Sequence, residues 1–221
     1  MDETPNGSIE LRWMRWLEEQ ADPRPALQIF SQQYHFFSLH QVVAFSGLFR
    51  IVKPTDRESL ALLAGVLYEE LGSSNACGAH SILFERFAAS CGVDVGQLPL
   101  PSAKVAPGIR WYVCELHSAF GGSSLPRALA TYQFLESSAV ETYGPLLQLL
   151  LRVGFAENEL EFFVLHARVE VEHEKAASMM VERANFSGSD LADFDDQKAL
   201  LNRAWNAFWQ DLWTSCKAAY K

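Results

Sequence analysis

The sequence predicts an all-α protein, a bundle of seven or eight helices. Three observations lead there. No stretch shows clean apolar–polar alternation, and the β-branched residues are scattered. Apolar residues instead recur at helical spacing through long segments without Gly or Pro. Turn-forming residues gather into short breaks, except for 92–107, which holds three prolines. A chain of 221 residues, 49% hydrophobic and with 15 Phe, can bury a substantial core. It reads as one domain over 1–221, with residues 1–7 frayed.

Each element follows from its own signals. Ser8 is expected to cap a helix over 9–19, with Ile9, Trp13, Trp16 and Leu17 on one face. Asp22-Pro-Arg-Pro interrupts the chain, and 25–30 forms a turn or short helix. A long helix over 32–52 carries Tyr34, Phe37, Phe45 and Leu48 on one side, and Pro54 stops it. Thr55 and Glu58 read as a capping box for the helix that ends at Leu71. After the break at 72–75, a helix is expected over 76–89, and another over 108–120. Ser123 or Ser124 caps the next helix, with Pro126 in its first turn and an end near Thr142. Gly144-Pro145 kinks or restarts the chain into 146–153. A helix over 157–181, a polar loop over 185–193 and a long helix over 195–219 complete the chain.

Bulk properties exclude several classes of function. A formal net charge of −9 opposes nucleic-acid binding through phosphates and offers no basic face to a membrane. Residues 1–20 lack an apolar core of the secretory type. The most apolar run, 145–155, is too short and too polar to span a bilayer. Cys77, Cys91, Cys114 and Cys216 form no CxxC pattern and read as isolated thiols, so a cytoplasmic location is expected.

The chemistry concentrates in 157–181. His166, Glu170 and His173 stand at i, i+4 and i+7. At about 100° per residue, Glu170 lies about 40° to one side of His166 and His173 about 20° to the other. Two imidazoles and a carboxylate thus share one stripe with Phe162, Val169, Ala176 and Met180. That set suits iron, manganese or zinc. Two further places put metal-ligating types among apolar residues. Glu70 closes one helix and His80 opens the next, with a flexible break between them. Glu136 shares its face with Leu129, Tyr132, Ala139, Val140 and Tyr143, where an ionised carboxylate needs a partner. Together, Glu70, His80, Glu136, His166, Glu170 and His173 make three carboxylates and three imidazoles from four helices. Such a set suits two iron ions; a single zinc would need only three or four of them. The ferritin-like layout has Glu-x-x-His on two helices. It is not matched, because Glu170-Val-Glu-His173 is the sole such motif.

These residues resemble those of the heme-oxygenase-like diiron oxidases and oxygenases. The likeness rests on Glu70 and His80 flanking a Gly-containing break, on isolated Glu136, and on the His-x-x-x-Asp/Glu-x-x-His pattern at 166–173. The gaps of 56 residues from His80 to Glu136 and 30 from Glu136 to His166 also suit that family. It covers about 34–181. The middle position of the last triple is usually Asp, so Glu170 is a departure.

The resemblance implies the seven-helix fold of heme oxygenase and thiaminase-like proteins, with the six residues holding two Fe2+ ions that activate O2. It implies a small amino-acid-derived or fatty-acid substrate carrying a carboxylate. Outcomes would include decarboxylation, C–C cleavage, desaturation or N-oxygenation in specialised-metabolite biosynthesis. An external reductant is possible in such systems. Tyr132, Tyr143 and Phe162, within two turns of Glu136 or His166, are the expected substrate contacts, and Arg110 or Arg152 the partner of its carboxylate. A homodimer is expected from family habit and from the Trp-rich ends at Trp13, Trp16, Trp205, Trp209 and Trp213. A cofactor-free or thiaminase-like enzyme of the same fold, or a non-catalytic helical binding protein, would not need six convergent ligands.

Overall fold

The computed structural model describes residues 8–220, which contain α-helices and short 3-10 turns and no strand. The stretch expected to be frayed, 1–7, lies outside the described residues. The helices are α1 (Ile9–Glu18), α2 (Arg24–Phe45), α3 (Leu48–Ile51), α4 (Arg57–Glu70), α5 (His80–Ser90), α6 (Pro107–Gly121), α7 (Leu125–Arg152), α8 (Glu161–Ala184) and α9 (Ser189–Ala218). Eight have ten residues or more, and α3 is a single turn. The bundle of seven or eight helices is therefore observed.

Several boundaries differ from the expectation, each for a local reason. The segment 25–30 is not separate: α2 runs without a break from Arg24, with Pro25 in its first turn, where a missing N–H costs nothing. The same helix stops at Phe45 rather than Val52. At Gly47 the chain presses on α6 so closely that a Cβ would stand 2.5 Å from the Phe120 carbonyl oxygen. The cap of α4 is Asp56, not Thr55 with Glu58: Asp56 accepts from the Ser59 N–H at 3.2 Å and from the Ser59 hydroxyl at 2.7 Å. Ser8 makes no side-chain cap bond. Ser124 does cap α7, accepting from the Arg127 N–H. Pro145 neither stops nor restarts the chain, and α7 continues to Arg152. Both Pro145 and Glu141, whose carbonyl loses its helical partner, are exposed, so water can satisfy that oxygen. The polar loop after α8 is shorter than expected. Asn185 adopts the left-handed conformation (φ 47°), and α9 begins at Ser189.

The long helices pack α7 along α8 and α6 along α9, with α2 laid against α5, α6 and α9. An aromatic spine fills the centre. Trp13 stacks on Phe30 at 5.1 Å between centroids, Phe30 meets Tyr34, and Tyr34 meets Phe84. Trp13, Trp205 and Trp209 are buried in this core. Trp16 and Trp213 pack against each other and under Tyr220 and Lys217. The indoles thus fasten α1 to α9. No helix among the described residues is long and apolar enough to cross a membrane.

Packing at Gly47 and Gly65 predicts opposite outcomes. A Cβ at Gly65, inside α4, would meet nothing within 4 Å. Gly47→Ala should destabilise the protein by about 1–3 kcal/mol. Gly65→Ala should be stabilising by about 0.5–1 kcal/mol. Urea melts of the two variants measure both changes, and equal midpoints would contradict the packing described.

Candidate metal centre

Four helices converge on one buried point. Glu70 is the last residue of α4, and His80 the first of α5. The chain between them doubles back through a left-handed turn at Gly72 (φ 84°), Ser73 and Ser74. A Cβ at Gly72 would fall 2.3 Å from the Asn75 carbonyl oxygen, so only glycine fits this return. The turn places His80 Nδ1 at 3.0 Å from Glu70 Oε1. Glu136 enters from the middle of α7, and His166, Glu170 and His173 from one face of α8. Every one of the six is buried, with at most 7% of its surface exposed.

The distances describe one cluster. His173 Nδ1 lies 3.7 Å from Glu136 Oε2, 3.7 Å from Glu170 Oε2 and 4.0 Å from Glu70 Oε1. His166 Nε2 lies 3.7 Å from Glu170 Oε1. Two groups have ligand atoms all within 4.8 Å of one another: Glu70, His80 and His166, and Glu70, Glu170 and His173. Glu70 belongs to both. Glu136 stands beside the second.

Whether these residues suit a metal is tested by their unsatisfied atoms. His80 Nδ1, His173 Nδ1 and Glu170 Oε2 are buried without a hydrogen-bond partner. For His80 this holds despite the 3.0 Å approach to Glu70, because the two atoms are not aligned as donor and acceptor and both face the shared space. Buried polar atoms are rarely left unpaired. Three of them in one cluster are what cations would satisfy, and a mixed oxygen–nitrogen donor set suits iron, manganese or zinc. His166 is already oriented: its Nδ1–H donates to the Phe162 carbonyl at 2.7 Å, which leaves Nε2 as the ligating atom.

The electrostatics point the same way. Burial opposes the charge on Glu70, but His80, His166 and His173 outweigh it and hold its carboxyl below the ordinary value. Burial pushes Glu136 up to about 7, against the pull of His173. Burial, then the charges of Glu136 and Glu70, pushes Glu170 well above the ordinary carboxyl range. Burial, with His80 beside it, lowers His166 to about 3. Without a cation the cluster keeps protons on carboxylates and removes them from an imidazole.

The profile of a family described as iron-containing redox enzymes matches residues 27–201. The chain belongs to that family. No curated protein matches it. Among solved structures, a domain of unknown function with a heme oxygenase-like fold from Shewanella denitrificans OS217 superposes with a TM-score of 0.74 at 14% identity, over 91% of this chain and 83% of that one. A CADD-like protein of unknown function from Nostoc punctiforme PCC 73102 superposes with a TM-score of 0.73 at 20% identity, over 94% and 89%. A second structure of the same description gives 0.68 at 16% identity, over 97% and 89%. The fold is therefore heme-oxygenase-like. In this iron-containing redox enzyme, the six residues singled out in the sequence are brought together.

The expected substrate contacts lie on another side of the centre. Phe162 and Tyr143 pack on the His166 ring at 4.0 and 4.5 Å between centroids, and Tyr143 shares a 2.9 Å hydrogen bond with Tyr34. Tyr132 is buried with its hydroxyl unpartnered. None of the three lines a cavity of about 550 Å³ that lies between α4 and α8 and reaches His173. Its walls include Leu62, Gly65, Val66, Met179 and Arg183. Arg152 instead pairs with Glu18 at 2.6 Å on the far surface, and Arg110 is likewise absent from the cavity wall. Arg183, absent from the sequence reading, occupies that wall. It follows Met179 at i+4 on α8, a signal with no chemical pattern of its own.

The buried charges set the pH response of the metal-free protein. Glu136 and Glu170 have raised folded values, so their stabilising contribution holds at low pH and is lost as pH rises through those values. His166, His35 and His40 have lowered values, and their opposing slope fades only once pH has passed their ordinary value of 6.5. Above about pH 7.5, where these imidazoles are deprotonated in both states, the raised glutamates set the slope, so metal-free stability should fall with rising pH. Thermal melts across that window should show a declining midpoint, flattened in Glu170→Gln. A rising midpoint would contradict the assignment.

Proposed function

We propose that the protein is a non-heme diiron oxidoreductase that uses O2 to oxidise a small substrate carrying a carboxylate. The observation that carries this reading is the pair of overlapping buried ligand groups, Glu70–His80–His166 and Glu70–Glu170–His173, with one carboxylate in common. One metal needs three or four protein ligands; six around a shared Glu suit two. Bound ferrous iron would supply the electrons for reduction of O2, with an external reductant restoring them between turnovers. The chain's own contributions are geometric and dielectric. Glu70 holds negative charge in a dry centre, His166 is locked by Phe162, and the aromatic rings of Phe162, Tyr143 and Tyr34 keep water out.

The cavity between α4 and α8 is the proposed substrate space. Its walls are largely aliphatic, which suits an amino-acid-derived or fatty-acid chain. Arg183 is the cationic residue among its lining residues, paired with Asp56 at 3.0 Å and with Glu58. A substrate carboxylate would take over one of these pairings. The reaction would be a decarboxylation, C–C cleavage, desaturation or N-oxygenation of the specialised-metabolite type, by likeness to diiron proteins of this fold.

Anaerobic titration with ferrous iron should saturate near two ions per chain, and His173→Ala near one, with far-UV helicity retained. Saturation of the parent chain at one ion would remove the diiron reading. Gly65→Leu projects into the cavity from a position where an added Cβ would meet nothing within 4 Å. It should lower turnover at least tenfold while iron content stays unchanged, and full activity in that variant would move the substrate elsewhere.

A further inference from the structure

We infer that Glu69 is a positioning residue: it fixes the tautomer and orientation of His173, and it does so from the wall of the cavity. The inference rests on the metal-centre reading above. Glu69 and Glu70 are adjacent at the end of α4, and about 100° of helical rotation separates their side chains. Glu70 turns inward and is buried; Glu69 turns to the cavity and keeps 49% of its side chain exposed. An exposed glutamate at a helix end ordinarily stays in water. This one instead places Oε2 at 3.0 Å from His173 Nε2, across 104 residues of sequence.

The direction of that hydrogen bond follows from the other face of the ring. A carboxylate oxygen accepts, so Nε2 carries the proton. In a neutral ring Nδ1 is then bare. That bare nitrogen is the buried unpartnered atom that faces Glu70, Glu136 and Glu170. Without Glu69, Nε2 would face only cavity water, and a proton on Nδ1 could satisfy the three carboxylates instead. Such a tautomer points a hydrogen where the ligating lone pair is needed. Glu69 removes that alternative. His166 is fixed from behind in the same sense, by the Phe162 carbonyl, but that acceptor belongs to its own helix and is inaccessible. Only the His173 anchor stands where a molecule filling the cavity would touch it.

The test reads tautomer and affinity rather than turnover. Nitrogen-15 spectra of the metal-free full chain, with His173 assigned by its absence in His173→Ala, should show Nε2 protonated and Nδ1 bare. Glu69→Ala should lose that preference and bind Co2+, used as a visible probe, about 10–100-fold more weakly, with altered d–d bands. Glu69→Gln, which keeps an acceptor oxygen, should restore most of the affinity. An Nδ1-protonated His173 in the parent chain, or parent-like affinity and bands in Glu69→Ala, would overturn the inference. Should Glu69→Ala fail to fold, the parent tautomer and the glutamine variant decide it. Binding of a single metal by the parent chain would defeat the diiron reading alone, since the tautomer is read without any metal.

Discussion

The structure turns on the burial of six ionisable side chains in the middle of an apolar bundle. Placing even one unpaired carboxylate in such surroundings costs several kcal/mol. Here three carboxylates and three imidazoles lie within a few ångströms, each almost wholly removed from water. The imidazoles offset part of the cost by holding Glu70 ionised. They cannot offset all of it, which is why Glu136 and Glu170 are driven toward the protonated form. A core selected for stability alone would put leucine at these positions. A polar cluster here, ringed by Phe162, Tyr143 and Tyr34, therefore works against stability rather than for it.

The layout of that cluster needs long straight helices more than it needs any particular loop. Glu136 sits in the middle part of α7, which runs unbroken from Leu125 to Arg152. Three ligands come from α8 because i, i+4 and i+7 fall on one stripe. The exception is the return at 71–79. Glu70 and His80 would be far apart on one continuous helix. The left-handed turn at Gly72 lets the end of one helix and the start of the next meet at 3.0 Å.

What the sequence revealed follows this division. His166, Glu170 and His173 were legible because helical periodicity is a local property, and Glu136 because a lone charge on an apolar face is conspicuous. Glu70 and His80 were legible only as a pair around a break. Tyr143 and Phe162 pack on the His166 ring, as one or two turns of helix dictate, while Tyr132 packs against Phe45. The open volume was not legible, because a cavity is defined by what two separate helices fail to fill. Glu69 and Arg183 were missed for the same reason. Glu69 reads as a solvated helix end, and its contact lies 104 residues away. The pairing of Arg183 with Asp56 and Glu58 joins the far end of α8 to the start of α4, a relation no local pattern contains.

Those two helices explain why centre and cavity lie side by side. On α8, the ligands span about 60° of the helix surface, and Glu172, Ala176, Met179 and Arg183 form a second stripe about 90° away from His173. On α4, Glu69, Leu62 and Val66 lie about 100°, 80° and 40° to one side of Glu70. Each helix therefore shows one face to the metal ligands and the neighbouring face to the cavity. His173 stands on the edge between them: one ring nitrogen faces the buried carboxylates, and the other meets Glu69 at the cavity wall. A single imidazole is thus the thinnest partition between the two spaces. A group that settled in the cavity against Glu69 would stand one hydrogen bond from a member of the buried cluster.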